Sequence, residues 1–228
     1  MARPISDGLG MIKTIDDVKV GLFKFDMSKE FAENAISFVI DICSQPNVFN
    51  KKIEHSPIVS FWNLNDKGKR LYDMPEFKEY LTFIKPHIQE YLQALNIPED
   101  DAIVTAMWGV HYKPTQFVKK HNHAYGDYTK SSGKKRTEHN NTTDNDVLAI
   151  LLYLNKPDNS GNLFIEMPNG NEHEFDLKGG DVIMFPSFSL MHRTNPNQSN
   201  EDKFVIGIEI VMKWVTDDIL VGKTIGEL

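Results

Sequence analysis

The chain has 228 residues, of which 40% are hydrophobic, 25% charged and 11% aromatic; this suits one large domain or two small ones at about 100 to 200 residues each and excludes disordered, collagen-like and disulfide-framework classes. Lys and Arg number 25 against 32 Asp and Glu, a net charge of −7, which argues against a protein that coats nucleic acid. No apolar run approaches the roughly 20 residues of a membrane span, the opening MARPISDGLGMIK has no apolar stretch to act as a signal sequence, and the single cysteine, Cys43, reads as a small core filler, so a cytoplasmic protein is expected.

In chain order, alternation over 18–25 predicts a strand, and Ser28 then reads as the N-cap of a helix whose apolar face is Phe31, Ala35, Ile36, Val39 and Ile42 or Cys43, ended by Gln45-Pro46. A second helix is expected to begin near Pro75, with Phe77, Tyr80, Leu81, Ile84, Ile88, Tyr91, Leu92 and Leu95 at three- and four-residue spacing packed against a sheet. Pro86 should kink or split it.

After Pro98 the pattern turns to period two and short apolar runs: strands are predicted over 103–112, 147–154, 163–167, 172–177, 181–185 and 204–212, between clusters of Gly, Pro, Asn and Asp. Six or more strands without intervening helices favour a sandwich, barrel or jelly roll, with the earlier helices covering one sheet. The expected fold is therefore α+β and a single domain over 1–228, with a helix-rich support region over 1–100 and a β core over 101–215. The 21 polar residues of 126–146 interrupt two sheet strands, and a loop of that length is usually a lid or an insertion. The segment 111–136 holds seven basic residues and one acidic residue, Asp127, which reads either as a solvated loop or as a mouth that attracts an anionic substrate.

His121 and His123 are one residue apart, so an extended backbone points both to one face. His192, after the run from Gly179 to Ser187, would close a three-ligand face from a distant strand. Three protein ligands on one face leave the opposite positions of an octahedral metal open for substrate, cosubstrate and oxygen. His55, His87, His139 and His173 have no partner pattern and read as structural, as does Arg193, which on an extended strand points away from His192.

Several pieces occur together in order: Trp108-Gly-Val-His-Tyr112 through Lys120-His121-Asn-His123, Leu152-Tyr153-Leu154-Asn155, Ser160-Gly161-Asn162-Leu163-Phe164, and Gly180-Asp181 through Phe185-Pro186-Ser187 to His192. Over about residues 100 to 212, just under half of the chain, this resembles the iron(II)- and 2-oxoglutarate-dependent oxygenases, and within them the prolyl-hydroxylase-like group and a set found in bacteria and phages. The resemblance implies a double-stranded β-helix (jelly-roll) core, Fe(II) and 2-oxoglutarate as cofactors, O2 as cosubstrate, and hydroxylation of a C–H bond. His121 and His192 stand where the family's first and distal iron ligands stand. His123 occupies the place usually held by Asp, which leaves the iron's two positive charges less compensated; the bacterial and phage group also tends to have histidine here, and Asp127 is the alternative carboxylate.

Lys203, eleven residues after His192, matches the family's basic residue for the cosubstrate's distal carboxylate, as a point charge without arginine's fork. Tyr112 and Tyr153 are candidate hydroxyl donors to the cosubstrate. Val205 stands where the family often has serine, and Thr115 where glycine is common. The prolyl-hydroxylase resemblance suggests a peptide or protein side chain as substrate, and the basic segment leaves room for another anionic one. Two other readings stay open: a three-histidine dioxygenase that uses no 2-oxoglutarate and needs no Lys203, and a metal-free jelly-roll binding or structural module. No oligomeric state is implied.

Overall fold

The computed structural model describes residues 10–44, 55–62, 77–123, 147–213 and 223–228. Among these residues, eleven strands and two α-helices follow in the order β1 (Met11–Ile15), β2 (Val18–Lys24), α1 (Lys29–Ser44), β3 (Ile58–Trp62), α2 (Lys78–Ala94), β4 (Ala102–Tyr112), β5 (Val147–Tyr153), β6 (Leu163–Glu166), β7 (Glu172–Phe175), β8 (Asp181–Pro186), β9 (His192–Thr194), β10 (Lys203–Met212) and β11 (Lys223–Thr224). Every pairing is antiparallel. The major sheet runs β1-β2-β8-β5-β10-β4-β11, with β3 also on β4, and the minor sheet runs β7-β6-β9. This is the expected α+β jelly-roll core with both helices on one face.

The six predicted strands of the β half all form, and the longer of them send alternate residues into two different cores. On β5, Leu148, Ile150 and Leu152 join the core shared with the helices, while Ala149 and Tyr153 join the core between the two sheets. Ser28 caps α1 as predicted: its Oγ accepts from the Phe31 N–H at 3.1 Å. Phe31, Ala35, Val39, Ile42 and Cys43 are the buried stripe of that helix. Pro75 lies outside the described residues, and α2 runs as one helix through Pro86, so of the expected kink or split it is not split. Ile84 and Ile88, buried on either side of that proline, hold the helix to the sheet where one backbone hydrogen bond is lost.

Before residue 100 the predicted strand over 18–25 forms as β2 and the two predicted helices as α1 and α2, while β1 and β3 are strands that were not predicted. β1, β2 and β3 all join the major sheet, and β11, beyond the expected end of the core, pairs with β4. Short strands with mixed polarity on the outside of a sheet leave little period-two signal. Among the described residues, no helix is long and apolar enough to cross a membrane.

One irregularity decides which side chains face inward. On β4, Ala106 pairs with Glu209 and Val104 with Ile210, so Thr105 is an extra residue, a β-bulge. Ala102 and Val104 before it face the helices; after it the parity flips, and Trp108, Val110 and Tyr112 face the space between the sheets. Trp108 lies over its partner Gly207, where a Cβ would come within 2.1 Å of the indole. Only glycine admits that ring.

Candidate metal centre and its pocket

His192 is on β9, and segment 121–123 is laid beside it as an extra edge of the minor sheet. The His121 N–H donates to the His192 carbonyl at 3.0 Å and the His192 N–H to the His121 carbonyl at 2.7 Å. The His123 N–H donates to the Ser187 carbonyl, just past β8, at 2.7 Å. Three backbone hydrogen bonds thus fix the pair spaced by one residue against the distal histidine. One ring nitrogen from each of His121, His123 and His192 lies within 4.8 Å of the others.

The imidazoles are oriented from behind. His121 Nδ1 is 2.8 Å from the Lys119 carbonyl and His192 Nδ1 is 3.1 Å from the Leu190 carbonyl, so each Nδ1 carries the proton and Nε2 keeps its lone pair. Burial lowers the pKa of both, assisted for His192 by the neighbouring His121 and His123 and for His121 by His123. Neutral imidazoles with a free lone pair are what a divalent metal requires. His123 Nδ1 is 3.3 Å from Glu209 Oε2, close enough for an ion pair but off the line of a hydrogen bond, so that this buried nitrogen has no aligned acceptor.

The three histidines line a pocket of about 480 Å³ between the sheets, walled by Trp108, Val110, Leu163 and Val205 and reached by Tyr112 and Tyr153. Both tyrosines are buried, and desolvation raises their pKa, so their hydroxyls keep their protons. The Tyr112 hydroxyl meets the side chain of Thr194, which also accepts from the Val118 N–H at 2.9 Å.

Lys203, at the start of β10, is fully buried. Its Nζ donates to the Gly161 carbonyl at 3.1 Å and lies 4.1 Å from the centre of the Tyr112 ring. Among the described residues no carboxylate pairs with it, and desolvation, with Lys156 nearby, brings its pKa down to about 7. Gly161 has φ +80, and a Cβ there would strike the Asn195 carbonyl at 2.1 Å, so the turn that receives the ammonium needs glycine. Val205, two residues on, gives the pocket an apolar wall where a serine was the family's usual choice. Thr115 holds φ +73, the left-handed region where glycine fits and a β-branched residue is strained.

Other candidates are structural. His111 faces the helix side, stacked on Phe204 with ring centres 4.6 Å apart, its Nε2 2.6 Å from Asp202. His173 is 2.7 Å from Asp16, and His87 stacks on Phe23. Arg193 borders the pocket, and its guanidinium lies over Phe164 with Nε donating to Glu172 at 2.9 Å. Of the basic segment, Lys119 borders the pocket and Lys120 pairs with Glu166. Asp127, Lys130, Lys134, Lys135, Arg136, His139 and the rest of the suggested lid over 126–146 lie outside the described residues. Sequence reasoning missed Glu209; its signal was a single acidic residue in an otherwise apolar run, Phe204 to Met212.

No family model matches this chain, and no curated protein matches its sequence. Solved structures do match it in shape. A prolyl-4-hydroxylase from Pseudomonas putida aligns with a TM-score of 0.58 at 14% identity, covering 85% of this chain and 92% of that one. A viral collagen prolyl hydroxylase from Paramecium Bursaria Chlorella virus-1, solved as a 2-oxoglutarate complex, aligns at 0.52 with 16% identity over 85% and 95%. HygX from Streptomyces hygroscopicus, with nickel and 2-oxoglutarate bound, aligns at 0.55 with 10% identity over 86% and 84%. The fold is therefore the one used by 2-oxoglutarate-dependent oxygenases.

Proposed function

We propose that the chain is an iron(II)- and 2-oxoglutarate-dependent dioxygenase that hydroxylates a C–H bond, with His121, His123 and His192 as protein ligands to the iron and Lys203 as the cation for the cosubstrate's distal carboxylate. The observation that carries this reading is the convergence of three histidine nitrogens within 4.8 Å at an apolar pocket of a jelly roll shaped like the oxygenases. The donor set fits: two of the rings are held neutral, with Nδ1 engaged and Nε2 available. Bound iron(II) with 2-oxoglutarate would supply oxygen activation.

The chain's own residues then have three tasks. Carbonyls of Lys119 and Leu190 fix the rings of His121 and His192. Trp108, Leu163 and Val205 exclude water from the pocket. Lys203 is a buried cation that lacks a carboxylate among the described residues, and a dicarboxylate would provide one, with the protonated hydroxyls of Tyr112 and Tyr153 as donors beside it. The prolyl hydroxylases among the structural neighbours support a peptide or protein side chain as substrate, and Lys119 at the pocket border favours an acidic one.

One observation favours the second reading, a three-histidine dioxygenase without 2-oxoglutarate: Lys203 lies beneath the Tyr112 ring and does not itself line the pocket, so an incoming carboxylate has to move that ring. Equilibrium dialysis of 2-oxoglutarate against manganese-loaded protein separates the two. Binding that weakens by at least about tenfold in Lys203→Ala is expected; equal binding in both proteins would assign the site to the second reading.

A further inference from the structure

With histidine at 123, the three ligands of the proposed iron site bring no negative charge, and an ion with two positive charges in an apolar pocket needs one nearby. Two of the three rings are backed by uncharged carbonyls. The third is backed by a carboxylate: Glu209 Oε2 lies 3.3 Å from His123 Nδ1, with both side chains largely buried. Glu209 is on the inward row of β10 with Val205 and Gly207, and its other oxygen, Oε1, accepts from Thr105 Oγ1 at 3.2 Å. Thr105 is the extra residue of the β4 bulge, so the irregularity that turns Trp108 and Tyr112 inward also holds Glu209 by Oε1 while Oε2 lies 3.3 Å from the histidine.

We infer that Glu209 is the positioning carboxylate of this metal site: Oε2 takes the Nδ1–H of His123, turns Nε2 of that ring to the ion, and supplies from behind the ring the negative charge that an aspartate at 123 would have given directly. The inference rests on the three histidines holding a metal, and needs no 2-oxoglutarate.

The test is an anaerobic titration of metal-stripped protein with cobalt(II), read by its ligand-field absorption and by calorimetry, with no cosubstrate present. Glu209→Gln keeps the shape and removes the charge, and cobalt binding should weaken by about 10- to 100-fold, with Glu209→Asp regaining part of the loss. His123→Asp brings the carboxylate into the ligand set, so in that background Glu209→Gln should no longer weaken binding. A structural role for Glu209 would lower affinity equally in both backgrounds, and that result, or wild-type affinity in Glu209→Gln, would overturn the inference while leaving the iron reading intact. Absence of cobalt binding by the wild-type protein would remove both.

Discussion

The two faces of the major sheet are built to different rules. On β10, Phe204, Ile206, Ile208 and Ile210 face the helices and are buried among Phe25, Phe31, Tyr80, Ile84 and their neighbours. The alternate residues Lys203, Val205, Gly207 and Glu209 face the other way, toward the space between the sheets, where three histidines line a largely apolar pocket and a buried ammonium and a buried carboxylate lie behind its wall. Burying such groups opposes folding unless they are paired: on the helix side the buried His111 has Asp202 at 2.6 Å, whereas on the inward side Lys203 has no carboxylate among the described residues, as suits a face shaped for a bound partner. The difference teaches where function sits before any ligand is known.

The largest expected effect breaks the packing face. Ile206→Ala removes a fully buried side chain between sheet and helices and should cost about 2 to 5 kcal/mol in denaturant unfolding, with cobalt affinity of the folded fraction unchanged. A matching loss of affinity would mean that the two faces are not separable.

The inward face should respond in the opposite sense. Lys203 has its pKa lowered to about 7 by burial, so between that pH and its unfolded value of about 10.4 the unfolded chain binds a proton that the folded chain does not. Stability of the metal-free protein should therefore rise with pH across that window, and the penalty should be fully present below it. Lys203→Met should flatten that rise and stabilise the metal-free protein near neutral pH while weakening 2-oxoglutarate binding. Thermal melts at several pH values check this, and a variant less stable than wild type at neutral pH would contradict the description of Lys203 as an unpaired cation awaiting an anion.

The smallest effect concerns Thr115, at φ +73. Thr115→Gly relieves a left-handed backbone cost of about 1 to 2 kcal/mol against a glycine entropy cost of about 0.5 to 1 kcal/mol, for a net gain between about 0 and 1.5 kcal/mol. Unfolding at equilibrium should register that gain with metal affinity unaltered.

Much of this was readable in the chain. Most strands of the second half declared themselves as apolar runs between Gly, Pro, Asn and Asp clusters, β7 being the polar exception, and α1 because Ser28 precedes a helical stripe. β1, Met11–Ile15, escaped because its five residues place the polar Lys13 and Thr14 side by side and so carry no period-two alternation. The bulge was hidden for a different reason: β4 is buried on both faces, so its apolar run has no polar alternation from which a parity change could be read. The spacing of His121, His123 and His192 was legible, but the hydrogen bonds that join 121 to 192 cross some seventy residues of sequence and follow only from the sheet. Glu209 was visible as a residue and invisible as a partner, since its relation to His123 depends on the bulge at Thr105.

The most direct test is the anaerobic addition of iron(II) and then 2-oxoglutarate to metal-stripped protein, watched for the weak visible charge-transfer absorption of the iron–cosubstrate chelate in wild type and in His192→Ala. The account predicts a band that requires both additions and is absent from His192→Ala. Iron bound without the band would contradict the role given to 2-oxoglutarate, and no iron bound at all would contradict the metal centre itself.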